Sequence, residues 1–171
     1  MPVYALGDAA PDIDPDAYVH PDAVVIGLVT VGPGATVWPT AVLRGDDGRI
    51  RIGARTSIQD GTIIHATGEL DTVIGAECVV GHNAHLEGCV VEDRCLIGSG
   101  SVVLHRATVR TGALVGANAV VPNGMEVPPL AMALGVPAVI RPDALEEGAH
   151  ASAVDLYVER GRRYHEDLRQ L

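Results

Sequence analysis

Aliphatic residues recur along this chain every five or six positions, a spacing that fits neither the 3.6-residue period of a helix nor the two-residue alternation of a simple strand. The series runs Ile26, Val31, Val37 and Leu43, then Ile52, Ile58 and Ile64, then Ile74, Val80, Leu86, Val91, Ile97, Val103, Val109, Val115 and Val121. Within each run the step is six, except from 26 to 31 and from 86 to 91, where it is five. A sustained six-residue repeat predicts a parallel β-helix, in which each short strand places one aliphatic side chain in a stacked interior. Taking these residues in threes assigns them to faces. Val37, Ile58, Val80, Ile97 and Val115 fall on face one; Leu43, Ile64, Leu86, Val103 and Val121 on face two; Ile52, Ile74, Val91 and Val109 on face three. Neighbouring strands stack about 4.8 Å apart, so matched positions on one face form a column and distant residues become neighbours.

Residues 1 to about 20 read as a lead-in that starts the coil, and the repeats run to roughly Val121. The Pro- and Gly-rich stretch Pro122–Pro142, with LGVPAVIRP at its end, predicts a chain that leaves the coil and doubles back. A helix is expected next, with Asp143 as cap and Glu146 three residues on in capping-box spacing. Leu145, Ala149, Ala153, Leu156, Tyr164, Leu168 and Leu171 fall near one face of that helix, which should lie along the solenoid or against a neighbouring subunit. The expectation is one domain, an all-β solenoid over residues 1–141 with its exit segment and a C-terminal helix over 142–171.

Composition sharpens this picture. Phe is absent and Trp occurs once, so burial must come from stacked Val, Ile, Leu and Ala, while twenty Gly and eleven Pro suit a chain that turns a corner every few residues. A net charge of −10 with no basic stripe argues against nucleic acid or an anionic membrane as partner and favours a small molecule or another protein chain. No apolar run approaches a membrane span, and the three cysteines, Cys78, Cys89 and Cys95, form no even disulfide framework; both features point to the cytoplasm. Cys78 and Cys95 hold equivalent positions on adjacent coils and read as small core residues.

Against this aliphatic background one polar set stands out. Arg44, Asp46, Gln59, Asp60, His65, His82, His85 and Glu87 all belong to the central coils. The residues following the face-two knobs form an outward column of Arg44, His65, Glu87 and Leu104; two positions beyond the face-one knobs stand Pro39, Asp60 and His82. Imidazole is the commonest metal ligand, and three N or O donors with one open position describe catalytic zinc.

The segments VLRGDDGRIRIGARTSIQDGTIIH (Val42 to His65) and VGHNAHLEGC (Val80 to Cys89), with LGVPAVIR and Tyr157 in the helix, resemble the gamma-class carbonic anhydrases over most of the chain. The resemblance implies a left-handed β-helix assembling as a homotrimer, with Zn²⁺, or Fe²⁺ or Co²⁺, held across each subunit boundary. It makes His65 a ligand from one chain and His82 a ligand from its neighbour, puts Gln59 near the metal-bound solvent, and pairs Arg44 with Asp46 or, alternatively, with Asp60. Where the family has the second His of GHxxxLHG, this chain has Glu87, and His85 stands two residues earlier. Strand alternation turns both outward around Leu86. Two sites follow: His85 supplies the third nitrogen with Glu87 as an outer acid or base, or Glu87 coordinates directly in a two-His, one-carboxylate site.

The implied reaction is hydration of CO₂ to bicarbonate, because Zn²⁺ lowers the pKa of water from about 15.7 to about 7 and makes hydroxide available. Gln59 could orient that hydroxide and Glu87 could relay the proton. Only sixteen residues separate His65 from His82, and among them Glu69, Asp71 and Glu77 are the acids, so slow turnover is expected. Two other readings share the coil. One is a hexapeptide acyltransferase taking an acyl-CoA between subunits, with His105 as candidate general base. The other is a non-catalytic metal-binding or assembly subunit.

Overall fold

In the computed structural model, which describes residues 2–171, the chain climbs a left-handed parallel β-solenoid of about seven turns and ends in one helix. On face one, Val19, Val37, Ile58, Val80, Ile97, Val115 and Ala133 stack in register from first turn to last. Face two stacks Val25, Leu43, Ile64, Leu86, Val103 and Val121. Face three stacks Ile13, Val31, Ile52, Ile74, Val91, Val109 and Val127. Face one is a separate eight-stranded sheet, whereas two long strands, Val24–Val31 and Val42–Ile52, run through the corner and join faces two and three into one twelve-stranded sheet.

The interior has a second regular position, two residues before each knob. It holds Ala23, Ala35, Ala41, Cys78, Ala84, Cys89, Cys95, Ala107, Ala113, Ala119 and Ala131, all fully enclosed. Small groups fill this slot on most turns; Val29 before Val31 and Ile50 before Ile52 are larger and lie on the two long strands that run through the corner. Where the slot carries a hydroxyl, the hydroxyl is satisfied by a carbonyl: Thr56 donates to Gly75 O at 2.7 Å, Thr62 to Gly81 O at 2.8 Å and Ser101 to Gly98 O at 2.7 Å. All three cysteines are buried and unbridged. Burial pushes the Cys89 thiol up to about 12, which makes it a packing group rather than a nucleophile.

Three expectations need correction. The face-two knob of the first full turn is Val25; Ile26 pairs with Arg44 in the outward column, so the five-residue step from 26 to 31 becomes a regular six. The coil continues past Val121 to Val127 and Ala133 before it doubles back; Val127 keeps the six-residue step inside the Pro- and Gly-rich stretch, and an alanine hides the last knob. Helix α1 spans Ala151–Asp167 and does not begin after Asp143, which stands in the left-handed region at φ 50°.

The buried face of α1 consists of Val154, Val158 and Gly161, flanked by Tyr157 and Tyr164; Leu156 and Leu168 are exposed. The helix lies on face one over Tyr18, Thr36 and Trp38, where aromatic rings meet edge to face: Trp38 with Tyr157 at 5.8 Å and with Tyr164 at 5.0 Å. The Trp38 indole N–H donates to Thr36 and Ser57 hydroxyls, each at 3.0 Å, so its polar edge stays satisfied beneath the helix. Gly161 is the point of closest approach, since a Cβ there would stand 2.6 Å from Thr36 Cγ2. The doubling back is an antiparallel pair between Met132–Leu134 and Val139–Arg141, as the Pro-rich exit segment predicts.

Candidate functional site

The interruptions in the six-residue period build the site. Opposite the strand Val42–Ile52, the neighbouring coil moves two residues, from Gly27 to Val29, while this strand moves five, from Gly45 to Ile50; three extra residues therefore bulge outward at the corner of faces two and three. That bulge carries Asp46 back to His65 on the next turn. The outward column is in register as expected, Arg44 beside His65 and His65 beside Glu87.

Asp46 Oδ1 stands 3.1 Å from His65 Nε2, and its other oxygen is held by Arg44. On the opposite side, Glu87 Oε1 is 2.8 Å from His65 Nδ1, while Glu87 Oε2 faces His85 Nε2 at 3.3 Å. Burial pushes the Asp46 carboxyl up, but Arg44, its own backbone N–H and His65 outweigh burial and hold it below the usual carboxylate range. Glu87 behaves the same way, burial being overcome by His65, His105 and His85. Both acids are thus anionic at neutral pH.

His82 and Asp60 are placed elsewhere, at the corner between faces one and two, where Asp60 Oδ2 meets His82 Nδ1 at 2.9 Å. Of the two candidate partners for Arg44, Asp46 is the one it contacts within the protomer. Gln59 is buried, and among the described residues no side-chain hydrogen bond ties it to either histidine. Among the described residues of the single chain, no three His, Cys, Asp or Glu side chains form a group that could hold a metal. His65 and His82 can therefore serve one ion only if they come from different protomers.

The donor chemistry fits a metal in that arrangement. Each of the two imidazoles has a carboxylate on Nδ1, Glu87 for His65 and Asp60 for His82. Metal-bound histidines are held in this way by an outer partner that fixes the tautomer; His82 thereby presents Nε2, whereas His65 Nε2 faces Asp46 Oδ1 at 3.1 Å, a contact that a metal would displace. His82 is half exposed at its corner, and the outward face-two column beside the cluster is apolar, Val42, Ile63, Val102 and Val120 flanking His85.

His105 is the residue that column reasoning undervalued. Its Nε2 stands 3.5 Å from Glu87 Oε1, within charge contact but without hydrogen-bond geometry, and this nitrogen is buried. The ring fits there because position 88 is Gly: a Cβ would lie 2.7 Å from His105 Cδ2. The sequence signal was present, since Leu104 ends the Arg44–His65–Glu87 column and His105 follows it at the corner.

Comparison with known proteins agrees with this architecture. Residues 71–105 match the bacterial transferase hexapeptide (six repeats) model. The chain is 38% identical over 150 residues to the carnitine operon protein CaiE of Citrobacter koseri, covering 88% of this chain and 76% of that one. A crystal structure of a putative acetyltransferase from Bacillus cereus superposes with a TM-score of 0.91 at 30% identity, covering 95% of both chains. A hexapeptide transferase family protein from Anaplasma phagocytophilum superposes at 0.90 and 31% identity, covering 95% of this chain and 98% of its own. No helix among the described residues is long and apolar enough to cross a membrane. With this stacking and these relatives, the chain belongs to the hexapeptide-repeat family of left-handed β-helix proteins that includes CaiE.

Proposed function

We propose that this protein is a trimeric, metal-dependent hydratase of the gamma-class carbonic anhydrase type, converting CO₂ to bicarbonate slowly at each subunit boundary. The observation that carries the reading is the pair of imidazoles with a carboxylate on each Nδ1, Glu87 for His65 and Asp60 for His82; His65 Nε2 faces Asp46 Oδ1 at 3.1 Å, a contact that a metal would displace. Zn²⁺, or Fe²⁺ or Co²⁺, would be held by His65 of one protomer and the equivalent of His82 from the next. The third donor comes from the His85 and Glu87 pair. Because both Glu87 oxygens already face histidines, His85 is the better donor and Glu87 the outer partner.

When bound, such a metal makes a water acidic enough to attack CO₂ at neutral pH. The chain supplies the rest. Glu87 and Asp60 orient the imidazoles, Arg44 keeps Asp46 in place beside His65 Nε2, and Asp46 is the nearest base for the released proton. Gln59, buried beside Asp60 in sequence, would orient the reacting oxygen. The apolar face-two column supplies the surface on which protomers meet. The acidic residues between His65 and His82 are few, which fits slow proton export.

The test is metal analysis of protein purified without chelator, followed by stopped-flow CO₂ hydration on the same sample. A stoichiometric divalent metal with activity removed by chelation supports the reading; a metal-replete trimer at background rate contradicts it and leaves a non-catalytic metal-binding role.

An acyltransferase is the second reading, favoured by the solved relatives described as transferases and by the His105 imidazole beside Glu87, an acid–imidazole pair able to act as general base. Saturable acetyl-CoA binding that survives chelation would support it.

A further inference from the structure

Glu87 meets imidazoles on three sides: His65 Nδ1 at 2.8 Å, His85 Nε2 at 3.3 Å and His105 Nε2 at 3.5 Å. The first comes from the turn before, the second from its own strand and the third from the corner that ends the strand of the turn after. The main chain beneath this carboxylate is fixed. Thr72, fully buried, donates its hydroxyl to His65 O at 2.5 Å and accepts the Gly88 N–H at 2.8 Å, which ties the backbone beside Glu87 to the backbone of His65. The freedom that remains belongs to the Glu87 side chain.

The corner that carries His105 is clamped as well. Arg106 N–H donates to Gly88 O at 2.7 Å, and His105 O accepts the Gly124 N–H at 2.9 Å. The ring lies against Gly88, where a Cβ would meet His105 Cδ2 at 2.7 Å and Leu70 Cβ at 3.0 Å, and where φ is 59°. Space and backbone both call for glycine there, and the gap is what lets the imidazole reach Glu87.

His105 Nε2 is buried and lacks a hydrogen-bond partner, a condition rare enough to call for a reason. It faces Glu87 Oε1 about half an ångström beyond the ordinary N–H···O length of about 2.9–3.0 Å, a gap that a small turn of the Glu87 side chain closes. A carboxylate only accepts, so the nitrogen that meets it carries the proton. Among the described residues no hydrogen bond on His105 Nδ1 fixes the opposite tautomer.

We infer that His105 is a positioning residue of this site: its Nε2 donates to Glu87 Oε1, holds that carboxylate against His65 Nδ1, and so fixes the orientation of the His65 ring. The inference rests on the proposed metal site for its effect on metal affinity, whereas the His105–Glu87–His65 chain itself belongs to the metal-free protein. It asks nothing of His105 toward a substrate. It also holds whether Glu87 is an outer partner or a ligand, because ligating carboxylates are themselves hydrogen-bonded.

Three substitutions separate the hydrogen bond from packing. His105→Gln keeps an N–H donor within reach, His105→Leu keeps bulk without a donor, and Glu87→Ala removes the group acted upon. In chelated full-length protein, proton–nitrogen correlation spectra of labelled histidine should show a His65 Nδ1 proton protected from exchange; His105→Leu should lose that protection and His105→Gln should keep it. In protein titrated with Zn²⁺, chelator competition should show affinity falling about tenfold or more for His105→Leu and little for His105→Gln. Adding His105→Leu to Glu87→Ala should cost nothing further, because the effect runs through that carboxylate. An unprotected His65 proton in the wild type, unchanged protection in His105→Leu, equal behaviour of the Gln and Leu variants, or a full additional loss on the Glu87→Ala background would each overturn the assignment. A wild-type protein that takes up no Zn²⁺ would end the metal reading and leave the His65 proton to decide this one, so the two ideas fail separately.

Discussion

At the scale of single residues, the chemistry rests on which nitrogen of each histidine is occupied. Glu87 on His65 Nδ1 and Asp60 on His82 Nδ1 leave Nε2 as the remaining nitrogen in both rings; that of His65 would have to exchange its Asp46 contact for a metal. Glu87→Gln should therefore keep the metal but weaken it by about 10–100-fold, the usual cost of losing an outer partner, whereas His65→Ala should abolish binding. Inductively coupled plasma analysis across a chelator series measures both. If His85→Ala strips the metal while Glu87→Ala mostly spares it, His85 is the third donor; the reverse result makes Glu87 the ligand. The pH dependence follows from the lowered carboxyls. A group whose folded pKa is depressed stabilises the fold above its unfolded value and loses that contribution as pH falls through the folded one. Asp46 and Glu87 should thus support the metal-free protein fully at neutral pH and cease to do so below about pH 4. Glu87→Gln should flatten this acid limb in thermal melts recorded from pH 7 to pH 3.

Elements explain where the sequence was legible and where it was not. The face assignment was readable because the six-residue step alone specifies register, and Leu43, Ile64 and Leu86 do stack as that step requires. It misplaced Ile26 by one because Val24, Val25 and Ile26 are all aliphatic, and only the pleat decides which points inward. The small slot two residues before each knob went unused, although Ala23 before Val25 would have corrected that choice. The helix was misread for a different reason. Asp143 and Glu146 have the spacing of a capping box, yet Gly148 interrupts before the helix begins, and the buried stripe follows the aromatic pocket over Trp38 rather than the leucines. The contact at Gly161 gives a direct check. Gly161→Leu should lift α1 from Thr36 and reduce the near-ultraviolet dichroism of Trp38, while the β signal of the coil remains. A core change such as Leu86→Ala should instead cost about 2–5 kcal/mol and lower the midpoint of the whole unfolding transition.

For the whole molecule, the separation of His65 from His82 is the decisive fact. The outward column at Arg44, His65 and Glu87 was legible from spacing, since a column follows from stacking alone. The partner of Arg44 was not, because Asp46 reaches His65 only through a three-residue bulge that has no period. Nor was the position of His105 over Gly88, which depends on a missing side chain one turn below. A solenoid cannot bring its own corners together, so two imidazoles at opposite ends of face two could share an ion only with one of them from another copy. Under the proposed function, cyclic assembly with three equivalent boundaries would do this and would make each site a property of two chains.

Complementation between protomers tests that claim most directly. His65→Ala and His82→Ala proteins, each expressed alone, should hold no metal at the boundary. Coexpressed in equal amounts and assembled at random, they should pair an intact His65 with an intact His82 at one boundary of every mixed trimer, about one quarter of all boundaries, restoring about that fraction of wild-type metal content. Metal content staying at zero in the mixed trimers, or either single variant retaining the full complement, would contradict a site shared between subunits.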